Sequence, residues 1–291
     1  MGLARPLAFM PADHYPAISV TGAWCGLQCL YCRARYLKGM IPCTTWRDAA
    51  RLLPWLETRA GVLVSGGFDA QGRLPIPPWL PRLLERLKRG GAVVSMHALN
   101  PDARLEDLVA RRLVDHVDLE FPVSRKQLEL MNIDDAAPTD TARILEEMGA
   151  SYSPHLLIGL PGVDVAEELA AVEELTSYRF EVAVFIVFMP TPGTPLAREP
   201  PPDPGRVVRV LEYASGRLGA EVAVGCMRPP SIRRSLDQVL VSTSLVDRIA
   251  NPHTGASTLS SPYRVLHVCC SLPRRFLTGA PRSRRGRRRA R

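Results

Sequence analysis

Three of the chain's seven cysteines, Cys25, Cys29 and Cys32, fall within eight residues, at steps of four and three. Thiolates are the usual protein ligands of iron–sulfur clusters. A loop this short can turn three thiolates toward one cubic [4Fe–4S] cluster and leave the fourth iron without a protein ligand. Tyr31 puts an aromatic ring beside such a cluster. The open iron then calls for a substrate or cofactor that brings its own donor atoms. Structural zinc is the competing use of clustered cysteines, but it takes four ligands, commonly as two close pairs. No fourth ligand stands at such spacing: Cys43 comes eleven residues later, and no histidine lies between His14 and His97. Buried thiols without a ligand are the remaining reading.

A second group of chemically capable residues lies far along the chain. Cys226 and Arg228 occur in GCMRPP, and Cys269 and Cys270 in HVCCSL. If the chain returns across one mouth of the fold, Cys269 or Cys270 can meet Cys226. An auxiliary iron–sulfur cluster with thiolates from separate segments is then physically feasible. Arg228, at the same rim, is expected to be available to a substrate carboxylate. Cysteine is also among the most often buried residues, so a plain packing role stays open for all three. His155, inside an apolar run, reads as a core histidine before it reads as a catalytic one.

These residues must be positioned by an alternation of strand, loop and helix. Short apolar runs mark eight strands, over 17–20, 61–65, 92–96, 114–119, 152–158, 182–188, 221–225 and 245–249. Stretches of helical period separate them. Asp140–Met148 has Thr139 as a candidate cap and Gly149 as a stop, and Trp79–Lys88 is closed by Gly90 and Gly91. The helical stretch over 44–58 contains Pro54, which predicts a kink or break. Eight such units match a (β/α)8 TIM-type barrel in one domain over 17–272, after a lead-in over 1–16. A partial β/α barrel with a C-terminal extension is the alternative. Residues 190–204 carry seven prolines and read as a long loop. Barrel chemistry sits in the loops that follow the strands. The cysteine loop, Gly66–Gly67, Gly159–Gly162, Pro190–Pro195 and Cys226–Pro230 all follow a predicted strand.

Composition narrows the class. No apolar run approaches the roughly 18 residues of a membrane span. The start of the chain lacks a basic and apolar leader. The odd cysteine count without such a leader argues against a disulfide scaffold. A cytoplasmic protein is expected. The net charge of +8 comes from the end of the chain, where residues 273–291 hold nine arginines and no acid. The remainder is near neutral, so the charge does not predict a nucleic-acid partner. The terminal segment reads as a disordered basic tail.

The pattern C-x3-C-x2-C with an aromatic before the last cysteine, after a first strand, resembles the radical S-adenosylmethionine (SAM) superfamily. The resemblance implies that Cys25, Cys29 and Cys32 hold the cluster and that SAM binds its open iron. It implies that Gly66 and Gly67, in LVSGGF, border the amino group of SAM, although Phe68 stands where an acidic residue is usual. It implies that Gly159, in PHLLIGLPG, and Pro190, in FMPTPGTP, border the nucleoside. Together with GCMRP and CCSL, the segments are similar to a biotin-synthase-like group that includes the two-protein lipoyl synthases. That implies sulfur insertion at unactivated carbon, with an auxiliary cluster as sulfur source. It also implies a reductant such as ferredoxin or flavodoxin, a lipoyl-carrier protein and a second radical SAM protein as partners. Residues 1–24 contain no cysteine, which separates the chain from the single-protein lipoyl synthases. A single-cluster radical SAM methylase, mutase or dehydrogenase is the enzyme alternative. A metal-bearing nucleic-acid binder that uses the arginine tail is the non-enzyme alternative.

Overall fold

The structure is a computed structural model that describes residues 6–253 and 265–277. Its strands are β1 (Leu7–Phe9), β2 (Ala17–Ser19), β3 (Ile41–Pro42), β4 (Gly61–Ser65), β5 (Val93–Ala98) and β6 (His116–Glu120). They continue as β7 (Tyr152–Ile158), β8 (Val182–Val187), β9 (Glu221–Val224), β10 (Arg248–Ala250) and β11 (Val265–Leu266). All pair in parallel in one sheet, in the order β11-β1-β10-β9-β8-β7-β6-β5-β4-β2-β3. β3 and β11 are opposite edges of that sheet. The β/α barrel expectation is therefore met in its partial form, with a C-terminal extension supplying β11.

The helices are α1 (Trp46–Leu56), α2 (Leu80–Arg89), α3 (Ala103–Ala110), α4 (Arg125–Met131) and α5 (Pro138–Glu147). After them come α6 (Val165–Leu175), α7 (Pro204–Arg217), α8 (Pro230–Thr243) and the short α9 (Arg274–Leu277). Their apolar stripes cover one face of the sheet. In α2, Leu80, Leu83, Leu84 and Leu87 are all fully buried, the i, i+3, i+4, i+7 spacing of a single helix face. Each contributes about 1.5–3 kcal/mol by leaving water. They pack with outward strand residues such as Val62, Val64, Val94 and Met96. Strand side chains alternate between faces, so Leu63 and Val93 point the other way. They join Val182, Val184, Ala223 and Ala250 in an inner cluster. Residues of β4 and β5 can meet residues of β8–β10 only if the sheet curls round them.

Three short strands, β1, β3 and β11, have too few residues for an alternation to be visible in sequence. Pro54 does not break α1. It sits two residues before the helix end, where only one intrahelical donor is lost. Thr45 caps the start of α1 through a reciprocal box with Asp48. Thr139 is not the cap of α5, which begins at Pro138 after Ala137. The expected tail boundary at Pro273 is also corrected. Arg274–Leu277 form α9, with Arg274 paired to Glu221 and Arg275 to Glu181. Residues 278–291, the rest of the expected tail, lie outside the described residues.

Candidate active site

Because every strand runs in the same direction, the loops after β2, β4, β7, β8 and β9 share one rim. The cysteine loop follows β2 and is held there by backbone contacts. Gly26 N–H donates to the Phe68 carbonyl at 2.7 Å, and Leu30 N–H to the Leu130 carbonyl at 2.7 Å. Asn132, itself left-handed at φ 54°, donates from Nδ2 to the carbonyls of Leu27 and Gln28, each at 2.9 Å. Left-handed turns at Gln28, Arg33 and Ala34 fold the loop back on itself. As a result Cys25, Cys29 and Cys32 lie in one cluster with Tyr31, Phe68 and Leu99.

Gly67 is the seat of this loop. A Cβ there would overlap the Cys25 backbone and the Trp24 carbonyl. Its N–H donates to Thr21 Oγ1 at 2.7 Å, and that hydroxyl donates to the Trp24 carbonyl at 2.9 Å. The thiols interact electrically. A hydrogen bond to Cys32, with burial, pushes the Cys29 thiol far above its ordinary pKa. Cys32, on the other side of that bond, is held below its ordinary value. Among the described residues, the three thiols are not part of any set whose ligand atoms all lie within 4.8 Å of one another, so they are not drawn round a single ion.

The other rim residues have distinct surroundings. Gly159 has φ +79°, and a Cβ there would meet Pro202 at 2.6 Å. Its N–H donates to the buried Glu168 at 2.5 Å, so local packing alone accounts for the glycine. Pro190 opens the loop that reaches the cysteine segment: the Tyr36 hydroxyl bonds Thr191 Oγ1, and Arg35 Nη2 donates to the Gly193 carbonyl at 3.4 Å.

Arg228 is not available to a substrate. It is buried, with Nε 2.8 Å from Asp237 Oδ1, and it donates from Nη2 to the Ala250 carbonyl at 2.8 Å and from Nη1 to the Gly225 carbonyl. It ties the turn after β9 to the end of β10. Its occurrence at a strand end suggested a rim position; the acidic partner on α8, nine residues on, turns it inward.

Cys226 is exposed, Cys269 half-buried and Cys270 buried. After β11 the chain descends inside the curl. Arg248, fully buried, donates to the Cys270 and Leu272 carbonyls at 2.8 and 2.6 Å. Ser153 Oγ donates to the Ser271 carbonyl at 2.9 Å. Cys270 packs in the inner cluster with Phe9 and Val268. Cys269 accepts from Ser271 Oγ at 3.2 Å and lies within electrostatic reach of both Cys226 and Asp118.

The inner wall formed by β4–β7 is polar. Ser65, Ser95, His97, His116, Asp118, Glu120, Ser153 and His155 occupy alternate, inward positions. Ser65 Oγ and His97 Nδ1 are 3.0 Å apart. Asp118 Oδ1 lies 3.4 Å from His155 Nε2 and 3.7 Å from His116 Nε2. The rings of His97 and His155 meet edge to face at 5.8 Å. Burial depresses His97. Burial would also depress His155, but the Asp118 carboxylate outweighs it and raises the imidazole. Burial would raise Asp118, yet its histidine neighbours hold it well below the usual carboxylate range. The sequence reading found only His155 of this group. The signal for the rest was polar residues at every second position of three successive strands, in VSMHA, HVDLE and YSPHL.

No family model matches the chain, and no curated protein matches it in sequence. Solved structures do resemble it. Methylornithine synthase (PylB) superposes with a TM-score of 0.56 at 14% identity, over 84% of this chain and 72% of that one. SuiB of Streptococcus suis, bound to S-adenosylmethionine, superposes with a TM-score of 0.51 at 12% identity, over 76% of this chain and 50% of that one. The chain thus spans about half the length of SuiB. At these identities what is shared is the fold.

Proposed function

We propose that the chain is a radical SAM enzyme whose Cys25, Cys29 and Cys32 hold a [4Fe–4S] cluster. The observation that carries this is the cysteine loop itself, three thiols gathered at the rim of a partial β/α barrel and seated on Gly67. A fold shared with a structure solved with SAM bound supports it. When bound, the cluster and SAM supply a 5′-deoxyadenosyl radical that takes a hydrogen atom from substrate. The chain's own residues do the rest. Phe68, Tyr31 and Leu99 pack beside the thiols. Tyr36 and Arg35 tie the cysteine segment to the loop after β8 and so fix the two loops that would border SAM. The inner face of the sheet is polar along β5–β7 and apolar where Val268, Cys270 and Leu272 pack against it. A low-potential reductant such as ferredoxin or flavodoxin is the implied partner.

In its sharper form the proposal is sulfur insertion at unactivated carbon, of the lipoyl-synthase kind, on a lipoyl-carrier protein and with a second radical SAM protein. Cys226 and Cys269 support it, because each thiol lies in the electrostatic range of the other. A single-cluster reaction on a small polar substrate is the second reading. The histidines and carboxylates of β5–β7 favour it, since an aliphatic chain gains nothing beside them. Iron and sulfide analysis of a Cys25→Ala/Cys29→Ala/Cys32→Ala variant, with product mass spectrometry of the parent on an octanoylated carrier, separates the two. Sulfur insertion requires residual iron and sulfide in the variant and a thiolated product from the parent. A variant free of both leaves the single-cluster reading.

A further inference from the structure

We propose that His97, Glu120 and His155 form a binding site for one divalent transition-metal ion inside the barrel, separate from the cysteine loop. Among the described residues they are the set of histidine, cysteine and acidic side chains whose ligand atoms all lie within 4.8 Å of one another. They come from the neighbouring strands β5, β6 and β7, where Asp118 pairs with His97 in register and His155 with Glu120. Rigid, adjacent strands hold such side chains better than loops do.

The surroundings are those of a metal centre. A ligating histidine gives its second ring nitrogen to a carboxylate or another oxygen, which fixes the ring and the tautomer. His97 Nδ1 has that partner in Ser65 Oγ at 3.0 Å, and His155 Nε2 lies 3.4 Å from Asp118 Oδ1, an ion-pair approach that a small shift turns into such a bond. In the proposed centre one ring nitrogen of each histidine and a Glu120 oxygen are the three ligands. Tetrahedral ligands about 2.1 Å from zinc stand about 3.4 Å apart, so the set closes with side-chain shifts of about an ångström. Two histidines and one carboxylate leave coordination positions open.

Charge points the same way. Asp118 is fully buried, and neither of its oxygens has a hydrogen bond of good geometry. Its ion pairs among the described residues are with His116 and His155, and Glu120 has none. Asp118, buried with no lysine or arginine against it, and the half-buried Glu120 beside it favour a cation between them and the histidines. Ser65, Asp118 and the three ligands all lie on the inner wall, on the C-terminal half of the strands or at their centres, where barrel enzymes bind substrates. The open positions would take an oxygen or nitrogen donor of a substrate held there. This site rests on its own geometry, independent of radical chemistry at the cysteine loop.

Cobalt(II) is the probe. The full-length Cys25→Ala/Cys29→Ala/Cys32→Ala variant, purified without iron or sulfide, is titrated with Co2+ without oxygen, and the visible d–d bands are read. About one cobalt per chain is expected, bound through nitrogen and oxygen, with no thiolate charge-transfer band. His97→Ala or Glu120→Gln should weaken binding by more than about 100-fold, and Ser65→Ala or Asp118→Asn by about 10–100-fold. Melting curves of the metal-free variants confirm that they are folded, and Glu120→Gln is nearly isosteric. No cobalt uptake by the parent, or uptake unchanged in folded Glu120→Gln, overturns the proposal. So does a thiolate charge-transfer band that disappears with Cys226→Ala, because it moves the ion to the C-terminal cysteines.

Discussion

Single residues carry the two sharpest features of the site. Gly67 has no side chain because the cysteine loop occupies that space. Gly67→Ala must push Cys25 away, so the variant should retain its fold and lose most of its cluster iron after anaerobic reconstitution. Full iron content in that variant would mean that the loop is free to move. Arg228 is the opposite case, a residue whose chemistry is used up inside the protein. Arg228→Ala leaves Asp237 buried without its ion-pair partner, at a cost of about 3–5 kcal/mol. Denaturant unfolding should read that loss, and substrate affinity should be unchanged at temperatures where the variant is folded. The sequence singled out Cys25, Cys29 and Cys32 as candidate ligands because spacing within one loop is local information, and the structure gathers the three in one cluster. It misread Arg228 because the partner is supplied by a neighbouring helix, and no local pattern reports that a guanidinium turns inward. It passed over His97, Asp118 and Glu120 because they become neighbours only when three strands separated by helices are set side by side.

At the scale of elements, the long strands were legible and the short ones were not. β4 and β7 have the bounds that their apolar runs predict, since each carries three consecutive aliphatic residues in a run that ends just before a glycine. β1, β3 and β11 are made by their partners: β11 exists because β1 offers it a free edge. β6 is the strand where the two demands on the barrel meet. Val117 and Leu119 pack outward under helices, and His116, Asp118 and Glu120 face inward. Burial holds His116 down to about 4, and its Nδ1 sits 2.8 Å from Ser151 Oγ. An unfolded histidine titrates near 6.5, so between about 6.5 and 4 the unfolded chain gains a proton that the native one refuses. The His116 contribution to stability is therefore fully present above that window and falls by about 1.4 kcal/mol per pH unit as pH drops through it. His116→Gln should show a flatter dependence of melting temperature on pH across this window. Parallel curves for the two proteins would refute the assignment.

The whole molecule is an open curl that its own C-terminal segment fills. Val268, Cys270 and Leu272 enter the inner cluster, and Arg248 grips the backbone beside them. A chain ending at Arg264 would expose that cluster and strip Arg248 of two carbonyl partners. It should be recovered largely insoluble or melt far below the full chain. A chain ending at Leu277 keeps all of these contacts and should melt within a few degrees of it. The arrangement also explains why the sequence pattern fits a closed barrel: eight alternations were present, and what distinguishes a curl from a ring is that, among the described residues, β3 and β11 do not pair.

That curl, with its cysteine loop at the rim, stands or falls as a radical SAM enzyme on one assay. Anaerobically reconstituted protein is given SAM and a strong one-electron reductant, and 5′-deoxyadenosine and methionine are quantified by mass spectrometry. The wild-type chain should form both in equal amounts, and Cys25→Ala, Cys29→Ala and Cys32→Ala should each reduce formation to the level of reductant alone. No 5′-deoxyadenosine from a chain loaded with iron and sulfide, or unchanged formation in any of the three variants, would contradict the account.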